Sequence, residues 1–168
     1  FSGNNTILSK AFSPSVTRFF MLQAHYRSNL DFSSSALEAS EKGYHKLIEG
    51  LKLLDRILYS ENTSLKLDKW IDSCYAAMND DFNSPVLIAN LFEGVKYIHL
   101  LHTGKETITK KDFIKLEKTL NSFVYEILGL IDESSQDDSG KLNGTIELLI
   151  QLRKEARDSK NWALSDQI

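Results

Sequence analysis

Apolar residues recur at helical spacing through most of this sequence, and this periodicity constrains the fold more than any other feature. Within residues 110–131 they are separated by alternating steps of three and four, as in the seam of a helical bundle or coiled coil. The earlier stretches 34–60, 65–78 and 85–102 each carry one apolar stripe. In chain order the stripe residues are Leu37, Tyr44, Leu47, Leu51, Leu54 and Leu58; Leu67, Trp70, Ile71, Cys74, Tyr75 and Met78; Leu87, Leu91, Val95, Ile98 and Leu101; and Phe113, Leu116, Leu120, Phe123, Ile127 and Leu130. The pattern predicts an all-α fold.

The connections between these stretches are short and polar, with "SENTS" at 60–64 and "TGKETIT" at 103–109. Short links favour antiparallel neighbours, so we expect an up-and-down, antiparallel helical bundle. Ser35 and Glu38 have the spacing of a capping box at the start of its first long helix. Before the bundle, one short helix is expected to open at "SPS", where Pro14 suits the first helical position.

Residues 132–144, "DESSQDDSGKLNG", differ from the rest because they are acidic, rich in Ser and Gly, and without period. This composition is typical of a linker or mobile loop. We therefore predict a domain boundary there. A last helix is expected to begin near Thr145 and to be still in progress at Ile168.

Composition and charge restrict the possible classes of function. The net charge of −3 means that the chain as a whole does not attract nucleic acid, so RNA would have to bind a local patch. No apolar run reaches the roughly 18 residues that span a bilayer, and the start lacks a secretory pattern, so a soluble intracellular protein is expected. The single cysteine, Cys74, lies on an apolar stripe and is interpreted as a core thiol rather than a nucleophile.

The stretch "NDDFNSP" at 79–85 resembles paired catalytic carboxylates or half a metal site. Asn83 and Ser84 can accept hydrogen bonds from free helix amides, and Pro85 fits a first helical turn. Asp80 and Asp81 would lie just before that helix, where its dipole favours negative charge. We interpret the stretch as a capped turn between two helices, because a metal site would need further ligands close by.

Other candidates for chemistry are sparse. His99 and His102 could bind a metal only with a third ligand from elsewhere in the fold, and we interpret both as helix-surface residues. A Gly-rich phosphate loop, a nucleophile elbow and an HExxH motif are not found in the sequence. We therefore predict neither catalytic nor metal-binding residues in this chain.

One basic patch stands out near the end of the sequence. On a helical wheel Arg153, Arg157 and Lys160 fall within about 60° of one another, with Lys154 to one side and Trp162 just beyond. Such a stripe beside an aromatic residue could bind RNA, since cations pair with phosphates and an indole stacks on an unpaired base. The alternative is a solvated helix face with Trp162 as a packing anchor, and composition alone favours this alternative.

Three segments carry a resemblance to a known family. They are "RFFMLQAHYRSNLDFS" at 18–33, "AMNDDFNSPVLIANLFE" at 77–93 and "RKEARDSKNWALSDQI" at 153–168. In this order and spacing they resemble cysteinyl-tRNA synthetases. The resemblance implies the end of a catalytic or stem-contact region at 1–33, a DALR-type helical bundle at 34–131, a linker at 132–144, and the start of an anticodon-binding domain at 145–168.

The resemblance also implies a function. The full-length enzyme would ligate cysteine to its tRNA with ATP and would hold a zinc ion, but the HIGH and KMSKS signatures and the zinc ligands are not in this chain, which alone is predicted to be inactive. Family members read the anticodon at positions matching Arg157, Trp162 and Asp166, while Arg153, Lys154 and Lys160 would contact the tRNA backbone. Cysteine tRNA is the expected partner of a cytoplasmic monomer that binds no membrane. The alternatives are a related cysteine ligase acting on a small-molecule amine, and a helical interaction module without an RNA role.

Overall fold

The computed structural model describes residues 10–133, 137–159 and 161–167, and within these ranges every regular element is a helix or a helical turn, without a strand. The predicted all-α fold is therefore confirmed. The elements are α1 (Pro14–Leu22), α2 (Ser34–Lys52), a 3₁₀ turn (Leu54–Arg56), α3 (Leu67–Asn79), α4 (Ser84–His102), α5 (Lys110–Asn121), a π-helical turn (Ser122–Ile127), α6 (Asp137–Asp158) and α7 (Trp162–Gln167). The chain divides into two compact units, Phe1–Ile131 and Asp132–Ile168.

Helix α4 lies at the centre of the first unit and contacts α1, α2, α3 and α5. Its predicted stripe faces inward, and Leu87, Leu91 and Ile98 have no exposed surface at all. Burying such side chains is the main favourable contribution to folding, at roughly 1.5–3 kcal/mol each. The bundle is therefore organised around the helix that follows the "NDDFNSP" turn.

Two glycines allow neighbouring helices to approach α4 closely. A Cβ placed on Gly94 would lie 2.6 Å from Cζ2 of Trp70, and one placed on Gly50 would lie 2.5 Å from Cγ1 of Val95. Both distances are too short for a real contact. Glycine at these positions thus lets α3 and α2 pack directly against the centre of the bundle.

The long helix predicted from residue 34 is shorter than expected. It ends at Lys52, a 3₁₀ turn follows, and Leu58, which was assigned to the apolar stripe, is 89% exposed. The cause is tertiary, because the backbone beyond the turn pairs with another connection: Ser60 N donates to Ile108 O at 2.8 Å. The predicted capping box is also wrong, since the side chain of Ser33 caps the helix by accepting from Ala36 N at 3.4 Å.

The seam predicted along residues 110–131 is buried except at one position. Ile127 is 50% exposed, whereas Val124 and Leu128 are buried instead. The π-helical turn at Ser122–Ile127 explains the change, since its wider turn shifts the phase of the residues that follow. Gly129 then ends the helix in the left-handed region with φ of 61°, which glycine adopts at little cost. Tyr75, in the α3 stripe, is also exposed and lies edge-on to Phe123.

The second unit begins its helix earlier than predicted. Helix α6 starts at Asp137, not near Thr145, so most of the segment interpreted as a linker is helical. Acidic residues at a helix N-terminus are favoured by the helix dipole, which offsets the poor helix propensity of Ser and Gly there. The functional assignment of the four predicted segments remains a prediction.

Candidate RNA-binding surface

The turn between α6 and α7 is closed by hydrogen bonds to the end of α6. Asn161 N donates to Ala156 O at 2.8 Å, and the Ser159 hydroxyl donates to the same carbonyl at 3.0 Å. The Asn161 side chain in turn accepts from Leu164 N at 3.3 Å and caps α7. Ala156 is buried at the centre of this turn, so the two helices form one local helix–turn–helix unit.

Arg157 lies on α6, where it faces the second helix. Its Nε donates to the Oγ of Ser165 on α7 at 3.2 Å, and Ser165 is buried while Arg157 is exposed. The guanidinium group is thus attached to the protein on one side and open to solvent on the other.

The predicted basic residues of α6 meet at one surface groove. Ile150, Arg153, Lys154 and Arg157 line it. The nearby acid Glu155 accepts instead from Gln151 at 3.1 Å, one turn away on the same helix. Three cations around an apolar residue form a surface that attracts phosphate. Lys160, predicted as a fourth cation, lies outside the described residues.

Helix α7 carries the other two predicted residues. Trp162 and Asp166 are one helical turn apart, so they lie on the same side of the helix. Both are exposed, and 61% of Trp162 is accessible. A packing anchor would be covered, so the exposed indole favours the interpretation in which the ring is free to stack on a base. The assignment of these residues to the anticodon remains a prediction.

Sequence reasoning did not single out Ser165. On sequence it is an unremarkable small polar residue between Leu164 and Asp166, and only its burial and its bond to Arg157 distinguish it. Its spacing from Trp162 gave no signal, because residues three apart lie on neighbouring sides of a helix and Trp162 is exposed.

The "NDDFNSP" stretch is a capped turn, as predicted. Asn83 accepts from Val86 N at 3.4 Å and donates from Nδ2 to Asp80 at 3.1 Å, and Pro85 lies in the first turn of α4. Asp81 has an unpredicted partner: it accepts from the Tyr26 hydroxyl at 2.9 Å and pairs with Nη2 of Arg27 at 2.9 Å. The segment at 25–28 therefore attaches to this turn.

Among the residues that the structure describes, no group of three or more His, Cys, Asp or Glu side chains could hold a metal ion. Cys74 is fully buried, and its burial raises the pKa of the thiol to about 12, so almost no reactive thiolate forms at neutral pH. No helix in the described ranges has both the length and the apolar character to cross a membrane.

Comparison with known proteins places these features in context. Residues 74–132, from the middle of α3 to just beyond the π-helical turn, match the DALR domain family. The whole chain is 43% identical to a cysteine–tRNA ligase of Porphyromonas gingivalis and 41% identical to one of Bacteroides thetaiotaomicron, in each case over 35% of the relative. A cysteine–tRNA ligase of Chlorobaculum tepidum is 40% identical over 94% of the chain and 33% of its own length. The chain thus spans about a third of the length of the curated relatives that it matches.

Proposed function

We propose that this chain, a member of the cysteinyl-tRNA synthetase family, is the tRNA-binding part of an enzyme. That enzyme would ligate cysteine to its tRNA with ATP. Similarity to cysteine–tRNA ligases along the whole chain supports this proposal. The observation that carries it is the surface of the second unit, where a groove of three cations occurs with an exposed tryptophan and an exposed carboxylate.

Each side chain of this surface suits a different part of an RNA loop. Arg157 would donate charged hydrogen bonds to the anticodon loop, and Trp162 would stack on an unpaired base. Asp166 cannot bind phosphate favourably, so its carboxylate would accept from a base edge. Arg153 and Lys154, together with Lys160, would pair with backbone phosphates and would bind different tRNAs alike.

Titration of the full-length protein with cysteine tRNA and with the same tRNA carrying a changed anticodon tests the proposal. We expect tighter binding of the unchanged tRNA. Equal binding of both tRNAs would show that the surface does not read the anticodon. Absence of tRNA binding, with or without cysteine transfer to a small amine, would contradict the proposal as a whole.

In this proposal the chain contributes recognition and not chemistry. We propose that ATP and zinc are bound by other parts of a monomeric, cytoplasmic enzyme, as the resemblance to cysteinyl-tRNA synthetases implies. The purified 168-residue chain should then show no cysteine-dependent exchange of pyrophosphate into ATP. Detectable exchange would place a catalytic site within it and contradict this division.

A further inference from the structure

Ser165 is the only buried polar side chain in the described part of the second unit, with 1% of its surface exposed. Its Oγ accepts from Nε of Arg157 at 3.2 Å. A buried hydroxyl is costly to leave unpaired, so this hydrogen bond is favoured whenever α7 is packed on α6. The burial of Ser165 therefore constrains a residue that is itself exposed.

The constraint acts on the orientation of the guanidinium group. This group is planar, so a hydrogen bond to Nε sets the direction of both terminal nitrogens. Within the described part of the chain, no acidic residue forms an ion pair with Arg157. The terminal nitrogens are thus held in place and left available for a ligand. Holding a long side chain in its bound orientation lowers the entropy lost on binding.

The same bond connects Arg157 to the helix that carries the other two proposed anticodon residues. On the wheel of α7, Ser165 lies about 60° from Trp162 and about 100° from Asp166, so the side of α7 that contacts Arg157 of α6 is next to the exposed side that carries Trp162 and Asp166. We propose that Ser165 is a positioning residue for anticodon recognition, whose hydroxyl orients Arg157 and keeps it in register with Trp162 and Asp166. This inference rests on the proposed function of Arg157.

Replacement of Ser165 by Ala in the full-length enzyme tests the inference. The change removes the acceptor and leaves the volume nearly constant. We expect the ratio of kcat/KM for the cognate tRNA to that for an anticodon-substituted tRNA to fall about 5- to 10-fold, mainly through KM for the cognate tRNA. The value of kcat at saturating tRNA should not change, because the reacting groups are untouched.

A matched control and a second background separate positioning from a general effect on folding. Ser159→Ala removes a hydroxyl that donates to Ala156 O in the same turn and does not contact Arg157, so the ratio should stay within about 2-fold. In an Arg157→Ala background, Ser165→Ala should have no further effect on the ratio, because the residue that it orients is missing. Thermal unfolding of each variant shows whether the fold is retained.

The possible outcomes distinguish the two levels of the proposal. If Arg157→Ala lowers the ratio, and Ser165→Ala lowers it only when Arg157 is present, the inference is supported. If Ser165→Ala changes kcat/KM by the same factor for both tRNAs, Ser165 is structural and the inference is overturned. The inference is likewise overturned if Ser165→Ala lowers the ratio as much in the Arg157→Ala background. In both cases the role of Arg157 stands. If Arg157→Ala itself leaves the ratio unchanged, the proposed function of Arg157 fails, and the inference fails with it.

Discussion

Helices α4 and α6 are similar in length, with 19 and 22 residues, but the apolar side chains of α4 are mostly buried and the described ones of α6 mostly exposed. In α4 the apolar stripe is buried by helices on several sides. In α6 Leu148, Leu149 and Leu152 are exposed, and Ala156 is the one buried side chain among those that the structure describes. An apolar stripe in a sequence therefore shows where a helix could pack, but not whether a neighbour covers it.

The two units also differ in the side chains that they bury and display. The first unit buries the large apolar side chains on which stability depends. The second unit displays cations, an indole and a carboxylate, which are the groups that RNA recognition needs. Substitutions in the first unit should thus change stability, and substitutions in the second should change binding.

The largest expected effect is that of Leu120→Ala, which removes a fully buried side chain from the centre of the first unit. The free energy of unfolding should fall by about 2–5 kcal/mol, through lost burial and the cavity that remains. Leu149→Ala is the matched change in α6, where the side chain is 44% exposed, and it should alter stability by about 0.5 kcal/mol or less. Urea unfolding followed by circular dichroism measures both. Because Leu120 lies on α5, equal losses would show that α5 in the first unit and α6 in the second are buried alike.

Arg157→Ala should change tRNA binding and leave stability nearly unchanged. In the full-length enzyme we expect a loss of about 1–3 kcal/mol in discrimination against a wrong anticodon, the size of a good contact between a side chain and a base. Lys154→Ala, in the same groove, should weaken the binding of all tRNAs alike. It should also reduce the slope of the logarithm of the binding constant against the logarithm of salt concentration by roughly one unit. Aminoacylation kinetics on both tRNAs over a range of salt concentrations compare the two variants. If each variant lowers kcat/KM by the same factor for both tRNAs, Arg157 positions the RNA without reading its anticodon.

Two glycine substitutions should change stability in opposite directions. Gly94→Ala would push a methyl group to within 2.6 Å of Trp70 and should cost about 1–3 kcal/mol. Gly144→Ala in α6 meets no atom within 4 Å, so it should stabilise that helix by about 0.5–1 kcal/mol through the higher helix propensity of alanine. Amide hydrogen exchange in each helix reports the two effects separately. Destabilisation by Gly144→Ala would mean that a neighbour covers that face of α6.

A small effect is also expected from Asp81→Asn at the "NDDFNSP" turn. The ion pair with Arg27 is exposed, and asparagine tolerates the left-handed backbone at this position, where φ is 52°. The loss in stability should be about 1 kcal/mol or less. Asp80→Asn, which changes the carboxylate that accepts from Nδ2 of Asn83, is the control. A variant that retains its fold but loses aminoacylation activity would contradict the interpretation of this stretch as a capped turn.

Much of the first unit could be predicted from its sequence. The stripe of α4 and the cap at Asn83 depend on residues close together in the chain, so local spacing was enough to identify them. The end of α2 could not be predicted in this way. It depends on Ser60 pairing with Ile108, a contact between distant segments that no local pattern records. The exposure of Ile127 depends similarly on a π-helical turn whose cause is not visible in apolar spacing.

At the candidate site, the types of side chain and the helical spacing that gathers Arg153, Lys154 and Arg157 at one groove could be predicted from the sequence. The hydrogen bond from Arg157 to Ser165 and the exposure of Trp162 could not. Helical periodicity sets only the angle between residues of one helix. Burial and hydrogen bonding between α6 and α7 depend instead on how the turn at Asn161 folds one helix against the other.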